Sequence, residues 1–114
     1  PVIRSGTWRG VFIPSEGKMP GMTFNVTSSE PLTGSMVFNN PSVGEAPCKA
    51  SVQEERRTSN MVTVTTNATS GPSDCLDSAR WELGTLDSST LTGELVWSSS
   101  GDMIGSRMEL RRRP

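Results

Sequence analysis

The chain has 114 residues, with 11 Lys+Arg against 12 Asp+Glu and no histidine, which fits one domain, residues 1–114, with a modest core. A net charge near zero excludes the strongly basic character of a general nucleic-acid binder, and no apolar run is long enough to form a membrane-spanning helix. Without histidine there is no Ser-His-Asp or Cys-His catalysis, no imidazole metal site and no neutral-pH proton switch.

Apolar residues recur with a period of two, the signature of strands with one buried and one wet face. In chain order these are Trp8-Gly10-Phe12, Met22-Phe24-Val26, Leu32-Gly34-Met36-Phe38, Cys48-Ala50-Val52, Val62-Val64, Ala79-Trp81-Leu83, Leu91-Gly93-Leu95-Trp97 and Ile104-Ser106-Met108-Leu110. Turn-forming clusters rich in Pro, Gly, Ser, Asn and Asp separate them, for example Pro14–Gly17, Asn39–Pro41, Ser70–Asp74 and Ser98–Asp102. Glu54-Glu55-Arg56-Arg57 reads as a charged hairpin tip, and no window shows helical spacing. The chain is therefore expected to be all-β.

Phe24-Asn25-Val26 followed by Leu32–Phe38 is echoed by Trp81-Glu82-Leu83 followed by Leu91–Trp97, which suggests a four-strand unit used twice. Eight short antiparallel strands in sequential hairpins predict a small up-and-down meander barrel, because closure removes the exposed edges. A β-sandwich is the competing architecture. It would need long crossovers, and most connections here are short.

Two cysteines cannot form a structural zinc site without further ligands, so no metal or cofactor is expected. Cys48 and Cys75 each border a Pro/Gly/Ser-rich loop, and a disulfide between them would tie the two loops together. Such a bond implies a secreted or periplasmic location. The start at Pro1 reads as a mature or trimmed product. Asn25-Val26-Thr27 and Asn67-Ala68-Thr69 match the N-glycosylation pattern.

Ser5-Gly6-Thr7-Trp8 opening the first strand, a later Leu-Thr-Gly, and basic residues Arg107 and Arg111 on the last strand resemble the calycin pattern of lipocalins and avidins. The resemblance implies a binding barrel, mostly non-enzymatic, with Trp8 near Arg107 at its closed end. It also implies association through outer strand faces. The chain departs from avidins in having no tyrosine, and no set of polar ligand contacts carries over.

Trp8, Trp81 and Trp97 fall on the alternating apolar faces, where they either line a cavity or fill the barrel. Asp74 and Asp77 flank Cys75, and Glu82 and Glu94 lie on polar strand faces that meet water, so no acid–base pair is indicated and the protein reads as a non-enzyme. Val11, Ile13, Val37 and Val96 point outward, as an oligomer or docking patch would. Arg111-Arg112-Arg113 could contact phosphates, anionic lipid or an acidic partner, or be a solvated tail.

The leading expectation is an extracytoplasmic binding barrel for a small apolar or amphipathic ligand, lined by Trp81, Trp97, Phe38 and Met36. The alternative is a protein–protein interaction module, an inhibitor, adhesin or assembly subunit, with a filled barrel. It would work through its outer strands and the loops Asn39–Pro47 and Ser98–Asp102.

Overall fold

A computed structural model describes residues 2–14, 20–39, 46–73 and 75–113. Eight strands follow one another: β1 (Gly6–Ile13), β2 (Gly21–Ser29), β3 (Leu32–Phe38), β4 (Cys48–Arg57), β5 (Val62–Ser70), β6 (Ser78–Asp87), β7 (Thr90–Ser98) and β8 (Arg107–Arg112). Each pairs antiparallel with its sequence neighbours, and β8 returns to β1, so the sheet closes into an up-and-down barrel in the order β1 to β8. The period-two pattern is thereby explained: apart from bulges and the start of β5, where Val62, Thr63 and Val64 are all buried, the strands turn one face to the core and one to water. No helix of the described residues is long and apolar enough to cross a membrane.

Two glycines are required by close backbone approach. A Cβ at Gly10 would run into the Glu109 carbonyl, and one at Gly34 into the Asn25 carbonyl. Both positions lie where neighbouring strands press together in a narrow barrel, which only glycine permits.

The sequence pattern misjudges two boundaries and one facing. Glu54–Arg57 belongs to β4, not to a hairpin tip, and the tip proper is closed by Thr58 N donating to Met61 O at 2.8 Å. β8 begins at Arg107, not Ile104, because Gly101, Met103 and Gly105 adopt left-handed backbone angles that turn the chain first. β7 contains a register shift opposite Arg80 and Trp81, where Val96 is the extra residue between Leu95 and Trp97. A bulge of this kind inverts the facing of every residue beyond it.

The two ends of the barrel differ. The three short hairpins, the first residues and the C-terminal strand end share one end, where Ile3, Trp8 and Leu32 are fully buried. Trp8 Nε1 donates to Arg4 O at 3.0 Å, fixing the leading segment across the base. The longer connections share the opposite, loop end, where Phe38, Leu76 and Met103 pack partly buried onto the core.

Candidate functional site

The interior is the first expected site, and the large apolar side chains expected there are packed against one another. Trp81 and Met36, two of the four residues expected to line a cavity, are 1% and 0% exposed and belong to one continuous apolar cluster. The Phe38 and Trp81 rings stack with centroids 6.1 Å apart, and Phe12 meets them edge-on at 5.6 and 5.8 Å. Such offset and T-shaped contacts are the favoured aromatic geometries. Trp81 Nε1 donates to the buried Thr66 Oγ1 at 3.2 Å, so its one polar atom is satisfied inside the wall. Among the described residues no buried side-chain N or O lacks a partner.

Trp97, the fourth expected lining residue, is not in the interior. It is 43% exposed on the outer wall, because the Val96 bulge turns it outward and puts Ser98 inside instead. The echo between the two hairpins hides this, since β3 has no such bulge at the matching point and Phe38 stays on the inner face. Outside, the Arg80 guanidinium sits 5.7 Å from the Trp97 ring centroid and pairs with Glu55 at 2.7 Å. The Arg80 hydrogen bond holds the Glu55 carboxyl below its usual range.

Closure of the base also differs from expectation. Trp8 is buried there, but Arg107 lies at the far end of β8, opposite Ile13, and reaches only Glu94 at 3.9 Å on the outside. The arginine in register with Trp8 is Arg112, whose Nη2 donates to Ser5 O at 3.0 Å. The register of the β1–β8 seam, which is not visible in sequence, is what chooses it. A second tie at the base was missed for the same reason. Glu54 Oε1 accepts from Arg57 Nη2 at 2.7 Å and from Leu32 N at 2.9 Å, and Arg57 donates on to Ser29 O at 2.7 Å. The Arg57 hydrogen bond is the main cause of the lowered Glu54 pKa.

Cys48 and Cys75 form a disulfide that ties the start of β4 to the β5–β6 loop. Of the carboxylates considered for chemistry, Asp74 lies outside the described residues and Asp77 is exposed. Glu82 and Glu94 are direct cross-strand partners on the outer wall. Of the proposed working loops, Asn40 to Glu45 also lie outside the described residues, whereas Ser98–Asp102 is ordered by Ser98 Oγ donating to Asp102 O at 2.7 Å.

One concavity among the described residues is on the outside. A shallow groove of about 510 Å³ crosses the waist of the barrel, with Ile13, Met61, Glu82, Glu94, Arg107 and Glu109 among its lining. Gly84 and Thr92 lie in this stretch of wall, where the absent or short side chain leaves room. Val11 and Ile13 are exposed beside it, as expected, whereas Val37 and Val96 are half-buried.

No protein-family model matches the chain, and neither the curated proteins nor the solved structures yield a match.

Proposed function

We propose that the chain is a non-enzymatic, extracytoplasmic, calycin-like barrel that acts as a protein–protein interaction module through its outer wall. Its interior is structural. The observation that carries this reading is the aromatic packing: the Phe12–Phe38–Trp81 contacts lie in the half of the barrel next to the loop end, where a small-molecule pocket would have to open. An eight-stranded barrel is wide enough either to be filled by its own side chains or to hold one small ligand, and the mutual contacts of Phe12, Phe38 and Trp81 favour the first. The outer groove, with apolar Ile13 and Met61 beside Glu82, Glu94 and Arg107, has the mixed character of a protein contact surface. The Cys48–Cys75 disulfide supports a location outside the cytoplasm.

Native mass spectrometry of the protein as purified, followed by the same sample denatured, tests the proposal. The expected spectrum shows the chain mass, or a multiple of it, with nothing else bound. A retained mass released on denaturation would overturn the filled-barrel reading and return the small apolar ligand to first place.

A further inference from the structure

Barrel closure gathers charge that is scattered in the sequence. Pairing of β1 with β8 sets Arg9 directly opposite Arg111 on the outer wall. Like charges in that relation repel, and the fold accepts the cost. Arg113 N donates to Thr7 O at 2.9 Å, extending the seam, and Arg112 is pinned to Ser5 O beside Arg4. Five arginines from the first nine and last four residues thus share the closed end. Asp87 interacts with Arg111 there and is engaged by Ser89 N at 2.8 Å. The same end also carries the exposed Glu30 and the half-buried Glu54, the latter already bound to Arg57 and Leu32 N.

The same end carries the two most exposed large apolar side chains among the described residues, Leu86 at 72% and Val2 at 70%. Leu86 is there because of a second register shift, between Thr85 and Asp87, that ejects it from the wall. Arg112 N donates to Ser89 O at 2.9 Å, which draws the β6–β7 hairpin against the arginine seam. Val2 immediately precedes Ile3, which is buried in the base.

From this juxtaposition of arginines with protruding apolar side chains we infer that the closed end docks on an anionic lipid bilayer. Arginines near such a surface are attracted to its headgroups, and apolar side chains gain by entering the boundary with the acyl chains. A nucleic acid would use the arginines but give no role to Val2 and Leu86. Docked in this way, the barrel presents its loop end away from the membrane.

Sedimentation with vesicles tests the inference on the full, disulfide-bonded chain. The probes are vesicles of phosphatidylcholine alone and vesicles carrying about a third phosphatidylglycerol. Partitioning onto the anionic vesicles alone, weakening as salt is raised, is expected. Neutralising one arginine should cost about 5-fold in partitioning, so Arg111→Gln with Arg113→Gln should cost about 30-fold. Leu86→Ser should cost about 10-fold. Arg4→Gln with Arg9→Gln, on the other side of the seam, gives an independent arm of similar size. All five side chains are exposed or half-exposed, so an unchanged thermal midpoint certifies the fold of each variant.

Equal partitioning onto both vesicle types, no partitioning at low salt, or an unaffected Leu86→Ser variant would overturn the inference. Stronger binding to a short DNA duplex than to anionic vesicles would overturn it as well. None of these results bears on the filled interior, which the native mass measurement judges separately.

Discussion

Replacing Trp81 and Trp97 by alanine, one at a time, separates the inner from the outer wall. Trp81 is buried, stacked on Phe38 and edge-on to Phe12, and donates its indole proton to Thr66. Its removal should cost about 3–5 kcal/mol through lost burial and a residual cavity. The Thr66 hydroxyl, left without its donor, adds about 1 kcal/mol. In a domain whose total stability is on the order of 5–15 kcal/mol, that is a large fraction. Trp97 is half in water and holds only the exposed Arg80 contact, which is worth about 0.5–1 kcal/mol. Urea unfolding followed by far-ultraviolet circular dichroism gives both values on one scale. Trp81→Ala should lower the midpoint steeply and Trp97→Ala only slightly. If Trp97→Ala proved as destabilising as Trp81→Ala, the outward placement of Trp97 by the Val96 bulge would be refuted. If Trp81→Ala cost under about 1 kcal/mol, the interior would have to be hollow at that level.

Reduction of Cys48–Cys75 should remove about 3–4 kcal/mol, since the bond closes a span of 27 residues in the unfolded chain. Thiol labelling of the untreated protein should find no free cysteine, and quantitative labelling would contradict the bond. Glu54 has a lowered pKa in the folded state, so its contribution is present above its unfolded value near 4.5 and fades as pH falls through the folded value. Stability measured from neutral pH down to about 3 should therefore drop in that acid window, and Glu54→Gln should flatten the drop; an identical slope in the variant would disprove the assignment. Gly34→Ala should destabilise by about 3 kcal/mol, because the added methyl meets the Asn25 backbone, which has no side-chain freedom with which to yield. A variant as stable as the parent would show that β2 and β3 are less tightly apposed.

The sequence by itself determined the fold class and, nearly, the topology. Period-two alternation from Trp8 to Leu110 is a local consequence of strand geometry, and the short polar turns leave sequential hairpins as the economical arrangement. The disulfide was also legible, because both cysteines border loops that an up-and-down barrel brings to one end. Tertiary structure alone decided which residues face inward beyond a bulge. An extra residue such as Val96 or Leu86 leaves composition unchanged, yet it inverts the phase of the strand, and only cross-strand pairing reveals it. That slip moved Trp97 from the expected lining to the outer wall. Register across the β1–β8 seam was equally hidden, since it joins the two ends of the chain, and it set Arg112 rather than Arg107 beside Trp8. The same closure makes one basic, partly apolar face out of Arg4, Arg9 and the terminal arginines. Residues a hundred positions apart become neighbours only when the last strand finds the first.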